Sequence, residues 1–204
     1  MTIPTGGSAP LRYDERTALI VVDVQNDFAD PAGSLAVKGG AGIVPAVNRE
    51  IRAARAANAM VVYTADWHPA HTPHFKPDGG IWPAHCVRDT WGAAFYPTLE
   101  IAGPVVRKGV HGEDGYSGFS TRDPHRPDRK APTELAAKLR AAGIERLVVV
   151  GLATDYCVKA TALDGLLLGW PTRVVRRAIR AVNLAKGDGA AALADMRAAG
   201  VKIV

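Results

Sequence analysis

Apolar and polar positions along this chain follow two periods, and the switch between them recurs to the last residue. Short runs of aliphatic and β-branched residues at 18–22, 60–64, 105–107, 147–150, 173–179 and 201–204 read as strands. Between them, apolar positions three and four apart predict helices over 43–58, 132–142, 155–168 and 189–199, the first presenting Val44, Val47, Ile51 and Ala54 on one face. Gly143 stands where a helix C-cap is expected. Strands that are apolar throughout and alternate with helices predict an α/β fold: a doubly wound, mostly parallel β-sheet with helices on both faces, in three layers. In such sheets ligands bind beyond the carboxyl ends of the strands. Two stretches, 66–100 and 109–130, carry neither period, and irregular segments that long inside a compact domain are usually functional.

With 204 residues, 48% of them hydrophobic, the chain can fill one sizeable core. Residues 17–204 are expected to form a single domain, after a loose leader at 1–16 rich in Gly and Pro and lacking the apolar centre of a signal peptide. No stretch is long enough to span a bilayer, which argues against a membrane partner. Two cysteines make a disulfide scaffold implausible and point to a reducing cytoplasm. The net charge of +5 changes little, because its densest stretch, 173–180, interleaves arginine with strand-forming residues and lacks stacking aromatics; no nucleic-acid partner is expected. A homo-oligomer is left open.

Candidate chemistry gathers where the strands end. The run 147–150 breaks at Gly151 and delivers Cys157 near the start of a helix, where the backbone N–H groups and the positive end of the helix dipole favour thiolate. A lone cysteine is more often core packing, but Asp23 and Lys108 also close apolar runs, so base, cation and nucleophile share one topological position. Two positive influences on the sulfur, set against burial and one carboxylate, predict that the Cys157 thiol titrates below the free value of about 8.5. Four of the six histidines (His68, His71, His74 and His85) fall in one irregular stretch with Asp66, a donor mixture that suits Zn, Fe or Mn. Cys86, directly after His85, is expected to point away. Phe28, Trp82 and Tyr116 flank these positions and could wall a flat apolar substrate. Neither GxGxxG nor GxxxxGK[ST] is present, so no nucleotide cofactor is expected.

Seven segments in order, Asp23-Val24-Gln25-Asn26-Asp27-Phe28, Gly33-Ser34-Leu35-Ala36-Val37, Asp66-Trp67-His68-Pro69, Trp82-Pro83-Ala84-His85-Cys86, Arg107-Lys108-Gly109, Tyr116-Ser117-Gly118-Phe119 and 151–158, resemble the nicotinamidase/pyrazinamidase group of the isochorismatase-like cysteine hydrolases. The resemblance implies hydrolysis of nicotinamide, a small-molecule substrate, to nicotinate and ammonia through a thioester, within NAD salvage. It implies Asp23, Lys108 and Cys157 as catalytic residues and the N–H groups of Ala153 and Cys157 as an oxyanion site beside a cis peptide at Leu152–Ala153. It implies Phe28, Trp82, Tyr116 and Tyr156 around the substrate. One divalent metal ion would be held by Asp66, His68 and His85, with His74 in the place of a further ligand used by some members; Zn is favoured, with Fe or Mn as alternatives. The resemblance assigns no role to His71, and the charged segment 122–130 departs from the group's pattern, as a lid or partner surface would. The rival readings are another amide or ureide hydrolase of the same family, which lacks the metal loop, and a non-catalytic binding module on the same fold.

Overall fold

All six apolar runs become strands of one sheet. The computed structural model describes residues 13–123 and 125–204; positions 1–12 of the expected leader lie outside the described residues. In chain order the strands are β1 (Thr17–Val22), β2 (Met60–Asp66), β3 (Val105–Lys108), β4 (Ser120–Asp123), β5 (Arg126–Pro132), β6 (Arg146–Leu152), β7 (Thr172–Arg180) and β8 (Lys202–Ile203). The main sheet has the order β3-β2-β1-β6-β7-β8, every neighbouring pair parallel. The helices are α1 (Asn26–Ala29), α2 (Val44–Ala56), α3 (Leu135–Ala141), α4 (Lys159–Leu167) and α5 (Asp188–Ala199).

The sheet is covered on both faces, and alternate strand residues serve two separate cores. Leu19, Val21, Val61, Tyr63, Val148 and Val150 pack with Val44, Val47, Ile51 and Ala54 of α2. Ala18, Ile20, Val22, Val62, Val106 and Val149 pack with Leu135 and Leu139 of α3, Ala162 of α4 and Met196 of α5. Pro45 fits the first turn of α2, where its missing N–H has no helical partner to lose. Just before β1 the chain is tied down: the Tyr13 hydroxyl donates to buried Glu50, and Asp14 accepts from Thr17 and Arg146. The basic run at 173–180 is β7, and Arg177 pairs with the same Glu50.

Three local expectations are corrected. The irregular stretch 109–130 contains the antiparallel hairpin β4–β5, built from residues too polar to show an apolar period. The helix expected from Pro132 starts at Leu135, because Pro132 closes β5. The helix expected from Asp155 is preceded by a π-type turn, Thr154–Val158, in which the Val158 N–H donates to the Ala153 carbonyl five residues back. Such wide turns recur at functional sites.

The strand order also locates the site. The chain runs from β1 outward to β2 and β3, then returns to lay β6 on the other side of β1. The crevice at such a reversal lies beyond the carboxyl ends of β1 and β6. The two backbones come close there: Gly151 has φ +113, and a Cβ on it would stand 2.1 Å from the Val22 carbonyl oxygen.

Candidate active site and metal centre

Four strand ends deliver four reactive side chains to one buried point. Asp23 follows β1 and leaves the strand with φ 46, its N–H donating to the Thr64 carbonyl at 3.2 Å. Asp66 and Lys108 close β2 and β3 directly opposite one another in the parallel register. Cys157 enters five residues beyond β6, inside the π-type turn, and the Leu152–Ala153 peptide before it is cis, as expected. The Lys108 ammonium lies 2.9 Å from Asp23 Oδ2, donates to Asp66 Oδ1, and stands 3.7 Å from Cys157 Sγ. The second oxygen of Asp23 accepts the Thr64 hydroxyl at 2.6 Å. Lys108 is 1% exposed and Asp23 0%, so these charges interact with little screening by water.

One cation thus faces two carboxylates and a thiol. Burial works against the ammonium, but Asp23 and Asp66 outweigh it and hold the Lys108 pKa well above the ordinary lysine value. Burial raises the Asp23 carboxyl, with Lys108 opposing. Burial also acts to raise Asp66, yet Lys108, His68 and His85 together hold it below the usual carboxylate range. The Cys157 thiol is pushed well above its ordinary value, first by burial and then by Asp23 and Asp66, against the pull of Lys108. The expectation of a depressed thiol pKa is therefore corrected: the sulfur is buried, and it faces two carboxylates, Asp23 and Asp66, instead of one.

The histidines form a second cluster against the first. One ring nitrogen each from His68, His74 and His85 lies within 4.8 Å of the other two. The second oxygen of Asp66 is 3.9 Å from Nε2 of both His68 and His85, so this carboxylate belongs to both clusters. Nδ1 of His85 is 2.8 Å from the Pro83 carbonyl, and Nδ1 of His74 is 2.9 Å from the Asp114 carboxylate. The His85 contact assigns its Nδ1–H tautomer and leaves Nε2 as a free donor atom, while His74 and Asp114 meet as a close ion-pair contact. His68 is 2% exposed, and among the described residues neither of its ring nitrogens has a hydrogen-bond partner. Buried polar atoms are rarely left so, and an ion is one of the explanations such an exception invites. Burial pushes the His85 pKa down to about 4, with Asp66 opposing, which keeps the ring in the neutral form a metal requires. The residues present therefore fit a divalent cation. The turn after Lys108 presses on this cluster: Gly109 has φ +76, and a Cβ there would lie 2.4 Å from the His68 ring.

Both clusters meet a pocket walled by Phe28, Trp82, Tyr116 and Tyr156, with Cys157, Asp66, His74 and His85 on its lining. Trp82 and Tyr156 meet edge to face at 5.0 Å, and the Trp82 Nε1–H donates to the Tyr116 hydroxyl at 3.1 Å. Every site residue expected from the sequence is at this crevice or directly beneath it. Two other expectations concern residues outside it: exposed His71 pairs with Asp78, and the Cys86 thiol lies 3.9 Å from the Gly92 carbonyl, away from the histidines. The sequence argument missed Thr64 and Asp114. It also gave no role to Gln25, whose side-chain amide donates to the Asp66 and Ala93 carbonyls and accepts the Asp66 N–H, fixing the end of β2. Leu35 and Val182 complete the pocket wall and carry no signal beyond being apolar.

The Isochorismatase domain family matches residues 17–204. The chain belongs to that family. Among family relatives, it is 41% identical to the nicotinamidase/pyrazinamidase of Mycobacterium tuberculosis, over 92% of this chain and 97% of that protein. It is 37% identical to the nicotinamidase of Escherichia coli, over 91% of this chain and 93% of that one. Its fold superimposes on the pyrazinamidase of Pyrococcus horikoshii in complex with zinc with a TM-score of 0.83 and 39% identity, covering 93% of this chain and 98% of that chain.

Proposed function

We propose that this chain is a metal-dependent nicotinamidase that hydrolyses nicotinamide to nicotinate and ammonia. The observation that carries the reading is the shared Asp66 carboxylate: one oxygen meets Lys108 of the thiol cluster and the other faces the histidines, so both chemistries open onto one aromatic pocket. The similarity to nicotinamidases over nearly the whole chain supports it.

The raised thiol defines the first step. Cys157 is protonated at rest, and Asp23, whose carboxylate oxygen lies within 4.8 Å of the sulfur, takes the proton as the sulfur attacks the carboxamide carbon. The carbonyl π electrons move to oxygen, and the N–H groups of Ala153 and Cys157 receive that oxyanion, a device worth about 3–4 kcal/mol per donor. Asp23 passes its proton to the departing nitrogen, the C–N bond breaks, and ammonia leaves a thioester on Cys157. A water molecule, losing its proton to Asp23, attacks the thioester; nicotinate leaves and the proton returns to the sulfur. Lys108 opposes the burial that raises Asp23, helps hold Asp66 anionic, and offsets the charge that forms on sulfur.

Phe28, Trp82, Tyr116 and Tyr156 hold the ring. Asp66, His68, His74 and His85 would hold the metal, and their mixed oxygen and nitrogen donors suit zinc, iron or manganese. When bound, it supplies a Lewis acid for the ring nitrogen. The hydrolase is read as one domain over 17–204, and two free thiols suit a reducing cytoplasm.

The test is ammonia release from nicotinamide by the purified chain, with metal content measured on the same sample. Turnover with stoichiometric metal is expected. A metal-free preparation that hydrolyses ureides and leaves nicotinamide untouched would overturn the reading in favour of the ureide-hydrolase branch.

A further inference from the structure

The hairpin β4–β5, which carries the charged segment 122–130, makes a specific connection to the histidine cluster. Asp114, itself outside the strands, forms an antiparallel bridge to Arg122 of β4, its N–H donating to the Arg122 carbonyl at 2.8 Å and the Arg122 N–H donating back. The next residue, Gly115, packs so closely on β4 that a Cβ there would stand 3.0 Å from both the Ser120 carbonyl oxygen and Thr121 Cα. The Asp114 backbone is thus set by the hairpin. Its carboxylate reaches the other way, 2.9 Å from His74 Nδ1. His74 in turn stacks on His68 at 5.0 Å and meets His85 at 5.3 Å.

We propose that Asp114 is a positioning residue for the metal centre: anchored on the β4–β5 hairpin, it orients the His74 ring and fixes its tautomer so that Nε2 is presented to the ion. A His ligand whose second nitrogen donates to a carboxylate is held in one ring orientation and made more basic, and loss of such a partner weakens metal binding by about 10- to 100-fold. Among the described residues, Nδ1 of His85 meets a backbone carbonyl and Nδ1 of His74 a side-chain carboxylate, so His74 is the ring of the three whose orientation a side-chain substitution can test. The charged hairpin then has a function at the metal site.

The inference rests on the metal reading of the histidine cluster, and one experiment separates the two. The purified full chain is stripped with a chelator and titrated with zinc against a chromogenic competitor, alongside Asp114→Asn, Asp114→Glu, His74→Ala and the double variant Asp114→Asn/His74→Ala. Failure of the unaltered chain to take up zinc at one equivalent would sink the metal reading itself. With that binding in place, Asp114→Asn is expected to weaken it by about 10- to 100-fold and Asp114→Glu to restore part of the loss. In the His74→Ala background the same Asn change should add nothing, since coupled residues are not additive. An Asp114→Asn chain that melts with the unaltered metal-free protein and binds zinc equally well would overturn the inference. So would an equal loss with and without His74, which would mean that Asp114 acts through the loop and not through the ring. If Asp114→Asn fails to fold, Asp114→Glu carries the test, and a Glu variant that binds zinc no better than His74→Ala overturns the inference.

Discussion

The thiol cluster and the histidine cluster lie side by side, yet they are built in opposite ways. Asp23, Asp66 and Lys108 sit on the ends of neighbouring strands, and the hydrogen-bond ladders that place Asp66 opposite Lys108 also fix their separation. His68, His74 and His85 hang on irregular segments fastened by isolated bridges, such as His68 to Val87, and by single contacts to Pro83 and Asp114. In the strand-borne cluster every charge has an opposite charge in contact, one ammonium serving both carboxylates. The loop-borne cluster leaves a buried imidazole unanswered until an ion arrives. Strand ladders position the groups that make and break bonds, whereas the metal-facing imidazoles depend on local contacts to hold them in place.

The largest expected effect cuts this comparison cleanly. Cys157→Ala should lower ammonia release by about 10⁴-fold or more, as loss of a nucleophile does in other enzymes, while zinc still binds at one equivalent. The two clusters would then be separable. A variant that retained a substantial fraction of turnover would show that the sulfur is not the nucleophile.

His68→Ala works from the other side. In the unaltered chain, zinc at one hundred times its dissociation constant should stabilise the fold by about 2.7 kcal/mol, read as a rise in Tm over the metal-free protein. That difference should vanish in His68→Ala and persist in Cys157→Ala. If both variants kept it, the ion would be held without His68 and the unpartnered ring would need another explanation.

The same contrast governs what the sequence could disclose. The six strands and the positions of Asp23, Lys108 and Cys157 were legible because an apolar run that stops at a charged residue or a glycine marks the end of a buried strand. The histidines were legible by density, four within eighteen positions. Thr64 and Gln25 were not, since a threonine inside a strand and an amide in a turn look ordinary until neighbouring chain segments supply their partners. Asp114 was hidden for the same reason, and the hairpin that anchors it was hidden because 122–130 is charged almost throughout. The sign of the Cys157 shift was misjudged because sequence shows which charges exist but not which of them share one cation. Lys108 proved to be divided between two carboxylates.

That corrected sign yields the smallest effect, and it probes the strand-borne cluster alone. In metal-free protein, iodoacetamide labelling of Cys157, followed by peptide mass analysis, should rise with pH through a midpoint above the free-thiol value of about 8.5, because burial, Asp23 and Asp66 all disfavour the thiolate. Below that midpoint the labelling rate should trail a free thiol at every pH, since only the ionised sulfur reacts. Asp23→Asn removes one negative charge that faces the sulfur and raises the thiol. The midpoint should therefore move down and labelling at a fixed pH should accelerate. Turnover should move the other way, because the same change deletes the group that carries the proton. A sulfur that becomes easier to ionise in an enzyme that becomes slower would identify Asp23 as a general base acting during attack. If labelling and turnover instead fell together, Asp23 would be promoting a resting thiolate, and the neutral-thiol mechanism would be wrong.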